Sequence, residues 1–476
     1  MSRALKRSLL TIGGAAGLLV LVAVVVLLFG GADRYKPRLE AAASDALGME
    51  FRIGGRLGVR FLPRFGVTAG DCRILNKQGA AVVSAKRISL WIEPLPLLRR
   101  NFRLHRIEVK QASFLIERDP GGRIHVESLK WAAGLLGALD GGTLSLTNAA
   151  IHYVDRGAGG GLEVTDLDLD VSRIRLAGGR GPQLWKGLSV QAELACGEIR
   201  TKTLTVSALK VSAAGKDAVF DLQPVTMRVF GGPLAGSLRA DLSGPIPLLR
   251  VRCSLPQFRI EEFLKTLSPE KAAEGAMDLS ASLSMQGATF RQMVGTAAGE
   301  MSLRGKNLVL EGNDLDRGLS RFESSQNFNL VDVGAVFFAG PLGLAVTKGY
   351  GFAGLLRGSG GSSEIRTLVS DWRIEGGVAQ ARDVALATAK NRIALQGGLD
   401  FAHERFANVT VAAIDEKGCA RVRQAIRGSF AKPVVEKPHF LTSLAGPVRK
   451  LFGRVRRLLP EGPCEVFYSG SVAPPK

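Results

Sequence analysis

Several groups of residues have the types or the spacing that chemistry requires, and each has a simpler structural explanation. Gly349–Gly354 matches the GxGxxG pattern of dinucleotide-binding turns, but the LLRGSGGSS that follows cannot form the helix that such a site needs. The carboxylates of Asp166, Asp168 and Asp170 could bind calcium, yet their alternation with leucines indicates the solvated face of a strand. The sequence therefore predicts neither a dinucleotide site nor a calcium site at these positions.

The other reactive side chains are scattered along the chain. The five histidines include no i, i+4 pair, and the motifs GxxxxGK[ST], HExxH and GxSxG do not occur. The five cysteines contain no CxxC pair, which argues against a zinc ribbon or a thioredoxin-type site. We therefore expect a protein that is not an enzyme and that uses no cofactor and no metal.

The chain starts with a stretch that could span a membrane. Leu9–Phe29 carries no charge and is long enough, at about 1.5 Å per residue, to cross a bilayer as a helix. A cleaved signal peptide is the alternative, because Gly30 and Ala32 are small residues suited to a peptidase, although its apolar region is usually shorter. We predict a cytoplasmic tail at 1–8, a single-pass anchor at 9–29 and the rest of the chain on the other side of the membrane.

Composition and charge limit the classes of function. Hydrophobic residues make up 46% of the 476 residues and aromatic residues only 6%, which favours aliphatic cores built from many short strands. The net charge of +20 is concentrated in residues 50–130 and 421–457. In a membrane-anchored chain, this distribution suggests contact with anionic lipid head groups, and we expect no nucleic-acid partner.

Alternating apolar and polar residues predict that strands dominate after one short helix at Tyr35–Gly48. Leu162 and Val164 alternate with polar residues, and the pattern then slips by one residue to Leu167 and Leu169. Such slips are typical of half-buried strands that carry bulges. Because helical periodicity is too sparse to supply crossovers, the sheet should be mostly antiparallel.

Two architectures can accommodate so many strands. A single core stops growing beyond about 250–300 residues, so the strands must form several closed cores or one extended sheet whose apolar face lines an open groove. Periodicity does not separate the two architectures, and the residues by themselves favour closed cores.

Three stretches resemble the AsmA family. Met49–Leu129 contains a glycine-flanked strand, an FLP at Phe61–Pro63, SAKRISLWIEPLPLL and RDPGGRIHVESL, in the order of that family's N-terminal region. Gly275–Leu315 is similar to its C-terminal region, as is Gly418–Val435 followed by CEVFYSG at Cys464–Gly470. Three such stretches in order behind an N-terminal anchor make coincidence a poor explanation.

The resemblance implies a mainly β protein of the bacterial inner membrane, with its bulk in the periplasm. After the transmembrane helix it implies an elongated, curved, mostly antiparallel β-groove, related to that of bridge-type lipid transfer proteins, which reverses the preference for closed cores. The implied regions are 33–130 (AsmA-like N-terminal region), 131–274 (middle of the groove), 275–435 (AsmA-like C-terminal region) and 436–476 (basic helix and C-terminal segment).

The implied function is to bind and conduct phospholipids in support of outer-membrane lipid homeostasis. Membrane phospholipids would be the ligands, and an outer-membrane or periplasmic protein would be a further partner. The alternative is a periplasmic scaffold that assists outer-membrane protein assembly without carrying lipid.

Apolar positions of the predicted strands would line the groove and contact acyl chains. These positions are Leu167, Leu169, Val171, Leu204, Val206, Phe220, Leu222, Leu303, Leu386, Ile393 and Leu395. In an open groove, a charge at Leu169 or Leu395 should block function in a folded protein, whereas in a closed core it should unfold the chain.

The C-terminal part carries two further predictions. Cys419 and Cys464 lie within the AsmA-like stretches and in an oxidising compartment on this interpretation, so we predict a disulfide, with two unpaired thiols as the alternative. Between them, apolar residues recur at spacings of three and four and predict a basic amphipathic helix that binds a membrane surface or a partner helix, or else caps the sheet. Its binding residues would be Arg449, Lys450, Phe452, Arg454, Arg456 and Arg457.

Overall fold

The structure of this protein is a computed structural model. It describes residues 32–47, 49–60, 66–76, 78–92, 104–119, 139, 141–157, 159–176, 187–266, 273–311, 314–317, 319, 361–436, 439–440 and 466–475. The predicted anchor at Leu9–Phe29 and the GxGxxG match at Gly349–Gly354 lie outside these residues. None of the helices within the described ranges combines the length and the apolar character needed to span a membrane.

The chain divides into two compact units, Met1–Ala218 and Val219–Lys476. The described part of the first unit begins with a 3-10 turn at Ala32–Tyr35 and helix α1 at Lys36–Leu47, where the sequence predicts a short helix. Its strands are β1 (Glu50–Ile53), β2 (Leu57–Arg60), β3 (Gly66–Leu75), β4 (Ala81–Ile92), β5 (Leu104–Arg118), β6 (Thr143–Asp155), β7 (Gly160–Leu176), β8 (Leu188–Thr201) and β9 (Thr205–Lys216).

The strands of the first unit form a sheet in which β1 and β2 both pair with β3 and the later strands pair in chain order. The pairing of β5 with β6 is parallel, from Arg106 opposite Thr143 to Arg118 opposite Asp155, and the other described pairings in this unit are antiparallel. A parallel pair needs a connection of about a dozen residues or more, which the chain between these two strands provides. The predicted, mostly antiparallel pairing is confirmed.

The second unit also consists mainly of strands, and those described pair in antiparallel fashion. Helix α2 spans Ile260–Leu264 and helix α3 spans Phe290–Gly295. The strands are β10 (Val219–Val229), β11 (Gly232–Asp241), β12 (Leu248–Arg259), β13 (Ala273–Glu274), β14 (Ala276–Gln286), β15 (Ala298–Glu311), β16 (Ser362–Glu375), β17 (Val378–Ala387), β18 (Arg392–Asp400), β19 (Arg405–Ile414), β20 (Ala420–Ser429), β21 (Lys432–Val435) and β22 (His439–Phe440). The AsmA-like regions described above are a different subdivision of the chain and stay predictions.

The slips in the alternation of β7 coincide with irregular backbone. Asp166, which lies between Val164 and Leu167, has a φ of 52°, and Arg173 has a φ of 53°. The pairing of β7 with β8 also shifts its register between Ser172 and Arg175. The bulges predicted from the slips are therefore confirmed in this strand.

In the second unit, part of each of the strands β16 to β19 is buried on both faces. On one face Leu368, Leu386 and Ile393 lie opposite one another in register, and each is at most 1% exposed. In β17 the four consecutive residues Val384–Ala387 are all buried, so this strand is covered on both sides. This part of the second unit is a closed core.

The other face of this closed core is covered by the C-terminal segment 466–475, which we call the strap. The strap packs Tyr468 and Val472 against a row of small side chains. That row includes Ala385, Ala387, Ala394 and Ala412. The short alanine side chains leave the space that the tyrosine ring occupies.

A carboxylate and a guanidinium hold the strap. Asp383 accepts hydrogen bonds from the Tyr468 hydroxyl at 2.5 Å and from the amide and hydroxyl of Ser471 at 2.9 and 2.5 Å. Arg392 Nη1 donates to the carbonyl of Val472 at 2.8 Å. Burial raises the pKa of Asp383, but the hydrogen bonds from Ser471 and Tyr468 outweigh burial and hold that pKa below its ordinary value. The ionised form of Asp383 therefore stabilises the docked strap.

Candidate functional site

The sheet of the first unit carries its apolar side chains on one face. Leu169 in β7 lies opposite Leu146 in β6 and Leu194 in β8, and all three are half-buried. The residues on either side of Leu169, Asp168 and Asp170, are exposed on the opposite face. The register thus places the apolar residues of neighbouring strands side by side, and together they form an apolar surface that continues across the sheet.

A row of irregular positions crosses this surface from strand to strand. In β3, β5, β6, β7 and β9 the row contains a residue with positive φ, and these residues are Asp71, Gln111, Asn148, Asp166 and Ala208. The register brings them to neighbouring positions across the sheet, and the amide of Asn148 donates to Asp168 Oδ1 of the neighbouring strand at 2.7 Å. A bulge bends its strand and increases its twist, so bulges in register crease the sheet along one line.

Small side chains lie along this crease on the apolar face. They are buried to between 1% and 5% exposure and are Cys72, Ala85, Ala112, Ala149 and Cys196. Side chains this short are shielded from solvent only where longer side chains on both sides of the crease project past them. The apolar face of the first unit is therefore concave. Burial, together with the nearby charge of Asp71, raises the pKa of Cys72 to about 11, and its thiol therefore packs as a small neutral group.

The concave face encloses an open cavity of about 1630 Å³. Sites for drug-sized ligands have volumes of roughly 300–1,000 Å³, so this cavity suits a larger molecule. Apolar residues line it on both sides of the crease and include Val83, Phe114, Ile116, Leu146, Ile151, Leu167 and Leu169. We call this cavity the groove.

The apolar face beyond Leu146 and Leu169 ends in a buried cluster. Leu139 and Ile174 are both fully buried and pack with Leu104 and Ile107. The amide of Gly142 donates to the carbonyl of Leu139 at 2.6 Å, which fixes Leu139 over the sheet. The apolar surface is therefore covered at this end of the strands.

The opposite end of the groove, which we call the mouth, is polar. The last turn of α1, the start of β1, the β3–β4 hairpin, the end of β5 and the turn after β6 meet there. The polar residues at the mouth, among those that the structure describes, are Ser44, Asp45, Glu50, Asn76, Gln78, Glu117 and Arg156. Arg156 Nη2 lies 2.7 Å from Glu117 Oε1. With an apolar interior and a polar mouth, the groove matches the two halves of an amphipathic molecule.

Helix α1 also closes the sheet edge beside the mouth. Ser44 Oγ accepts a hydrogen bond from the amide of Phe51 at 2.9 Å, and Glu40 Oε1 accepts one from the amide of Ile53 at 2.7 Å. Both amides belong to β1, whose other edge pairs with β3. Unpaired edge amides can pair with a foreign strand, so these side-chain acceptors seal the edge of the sheet.

The groove residues predicted from the sequence have different positions within the first unit. Leu167 and Leu169 line the groove, and Val171 and Val206 lie on the same apolar face. Leu204 lies in the turn before β9, where its carbonyl accepts a hydrogen bond from the amide of Thr201 at 2.8 Å. Contact of these residues with lipid stays a prediction.

The predicted groove residues of the second unit differ in burial. Phe220 and Leu222 in β10 are half-buried. The other four are at most 3% exposed, and they are Leu303, Leu386, Ile393 and Leu395. These four side chains are covered, so the groove of the first unit is the better place for a ligand, and lipid contact at the four positions stays a prediction.

Several groove residues have no counterpart in the sequence prediction. Phe114, Leu146 and Ile151 line the groove. The sequence of β6 contained a pattern that could have identified Leu146 and Ile151, because both belong to an apolar alternation that slips by one residue. That pattern is the same as the one that located β7. The mouth residues had no such signal, since the position of Asp45 depends on how α1 packs beside the sheet.

The cysteines are in two states. Cys419 is disulfide-bonded, whereas Cys72, Cys196 and Cys253 carry free thiols. Val466 of the strap forms a β-bridge with Cys419. The predicted partner Cys464 and the basic helix with Arg449, Lys450, Phe452, Arg454, Arg456 and Arg457 lie outside the described residues, so the pairing and the helix stay predictions.

Comparison with known families agrees with this architecture. A family model, described as the AsmA family, matches residues 1–132 and 180–336, which is more than half of the chain. This protein belongs to the AsmA family. The resemblance found in the sequence is thereby confirmed. No curated protein matches the chain.

The two AsmA ranges correspond to definite parts of the fold. The first contains α1 to β5, which supply most of the mouth, and the second contains β8 to β15. Strands β6 and β7, with Leu146 and Leu169, lie between the two ranges. The C-terminal stretches at Gly418–Val435 and Cys464–Gly470 lie beyond both, and their resemblance to the AsmA family stays a prediction.

Proposed function

We propose that this AsmA-family protein binds phospholipids in the groove of its first unit, with the acyl chains on the apolar face and the head group at the mouth. The observation that carries the proposal is the open cavity of about 1630 Å³ with an apolar interior and a polar mouth. Transfer of acyl chain from water contributes about 0.8 kcal/mol for each CH₂, so binding requires no catalytic residue, cofactor or metal. The protein would hold and conduct lipid and so support outer-membrane lipid homeostasis.

The proposal includes a location. Family membership and the charge-free stretch Leu9–Phe29 support a single-pass protein of the bacterial inner membrane with its bulk in the periplasm. Its partners there would be membrane phospholipids and an outer-membrane or periplasmic protein. N-terminal sequencing of the mature protein tests the anchor, because a mature chain that starts at Asp33 would have lost it.

A scaffold that assists outer-membrane protein assembly is the second candidate. The closed core of β16 to β19 favours it, because that core covers its own apolar faces and needs no ligand to do so. The two candidates differ in what the groove of the first unit contains.

Native mass spectrometry of the full chain, purified in mild detergent, separates the two candidates. The wild type should retain phospholipid, and Leu169→Arg should lose it, because the substitution places a charge in the groove. Asp170→Arg is the matched control, since its exposed carboxylate lies one residue away on the opposite face, and this variant should keep its lipid. A folded wild type that is consistently free of lipid would contradict the proposal and favour the scaffold.

A further inference from the structure

The mouth carries an excess of acidic groups in a strongly basic protein. The chain has a net charge of +20, yet the charged residues among the described lining of the groove are Asp45, Glu50, Glu117 and Arg156. Arg156 compensates Glu117, and Arg52, which is not among the lining residues, pairs with Glu50. Asp45 is exposed and has no ion-pair partner within the part of the chain that the structure describes. Among the described residues that line the groove, three carboxylates therefore accompany one guanidinium.

The position of Asp45 on α1 places its carboxylate at the negative end of a helix. Asp45 lies in the last turn of α1, which ends at Leu47 and contains no basic residue in that turn. The carbonyl end of a helix has a partial negative charge, which Lys, Arg or His commonly compensates. An aspartate at this end is unfavourable by itself, and a cation bound at the mouth would relieve the repulsion.

The acidic groups are spread around the mouth and do not converge on one point. They come from α1, β1 and β5, and the described residues include no group of three or more His, Cys, Asp or Glu that could hold a metal ion. This arrangement suits an organic ammonium group at the end of a ligand whose apolar part fills the groove. Arg156 uses Nη2 for Glu117 and has a side chain that is 61% exposed, so its other N–H groups can donate to a phosphate.

We propose that the mouth selects phospholipids whose head group carries an ammonium beside the phosphate, in preference to phospholipids whose head group is negatively charged overall. The phosphate lies at Arg156 and the ammonium lies near Asp45 and Glu50. This selection rests on the proposed function, because it concerns the head group of the lipid that the groove holds.

The test uses the full chain in detergent and a competition between two lipids. Equal amounts of phosphatidylethanolamine and phosphatidylglycerol with identical acyl chains are added, and native mass spectrometry counts each bound lipid. The wild type should prefer phosphatidylethanolamine, and the double variant Asp45→Asn with Glu50→Gln should lower the preference about threefold to tenfold, as expected from two exposed charge interactions. The reversal Asp45→Lys with Glu50→Lys should favour phosphatidylglycerol.

The matched control removes two carboxylates from the opposite face of the same sheet. Asp170→Asn with Glu198→Gln makes the same change in net charge and should leave the lipid ratio unchanged. Higher salt should weaken the wild-type preference, because exposed charges are screened.

The outcomes distinguish this inference from the proposal on which it rests. Equal uptake of both lipids by the wild type, or equal shifts in the mouth variant and the control, would overturn the head-group selection and leave lipid binding intact. A wild type that takes up neither lipid would overturn both.

Discussion

An arginine at Leu169 and an arginine at Leu395 should have different consequences, although both leucines are apolar positions of strands. Leu169 is half-buried and lines the open groove. Leu395 is 2% exposed and lies in a strand of the closed core. An arginine at the first position can extend its guanidinium toward water, whereas one at the second position is surrounded by packed side chains.

The free energy of unfolding gives the size of the difference. Full burial of a leucine contributes about 1.5–3 kcal/mol, so replacing the half-buried Leu169 should cost about 1 kcal/mol. Leu395→Arg loses the whole apolar contribution and also places an unpaired charge in a covered core, a change that costs about 4 kcal/mol or more. Because a domain is stable by about 5–15 kcal/mol, this substitution should unfold the second unit or bring it close to unfolding.

Thermal unfolding followed by circular dichroism, together with limited proteolysis, measures both variants. Leu169→Arg should melt close to the wild type and should lack bound lipid, whereas Leu395→Arg should lose the protection of the second unit. Leu395→Met is the control, since it preserves volume and should cost less than about 1.5 kcal/mol. If Leu395→Arg proves as stable as the wild type, the closed core is wrong, and if Leu169→Arg unfolds the first unit, its place in an open groove is wrong.

Three further changes test the C-terminal part. Cys419→Ser should lower the stability of the second unit by at most about 4 kcal/mol and leave the melting of the first unit unchanged, which calorimetry with and without reductant checks. Reversing Arg454, Arg456 and Arg457 to glutamate should abolish salt-sensitive binding to anionic liposomes, and lower stability with unchanged liposome binding would instead indicate a structural cap. Asp383→Asn should loosen the strap at about pH 7 and make little difference at strongly acidic pH. The pKa of Asp383 is depressed in the folded protein, so its carboxylate stabilises the fold at pH values above its unfolded pKa. This stabilisation is lost as the pH falls through the folded pKa. Hydrogen exchange of the amide of residue 471 at both pH values measures this, and an effect that persists unchanged in acid would argue against an ionised Asp383.

The local pattern of the sequence was sufficient to locate strands and some of their irregularities. The step from Val164 to Leu167 identified a bulge at Asp166, because alternation and a three-residue step are properties of consecutive residues. The family was recognisable for the same reason, since its motifs are also runs of consecutive residues. The uninterrupted apolar run Val384–Ala387 is a local sign of a strand covered on both faces, and the sequence prediction, which placed Leu386 in an open groove, did not use it.

Only the tertiary structure decided which apolar faces remain open. Leu169 and Leu395 are both leucines that the sequence predicts in the groove, but one lines a groove and the other is buried. The strap that covers Ala394, the residue beside Leu395, comes from a distant part of the chain. The crease depends in the same way on the register of several strands, and the mouth depends on the packing of α1. These features are set by contacts between residues far apart in sequence, where the free energy of packing selects one arrangement among many that the same local alternation allows.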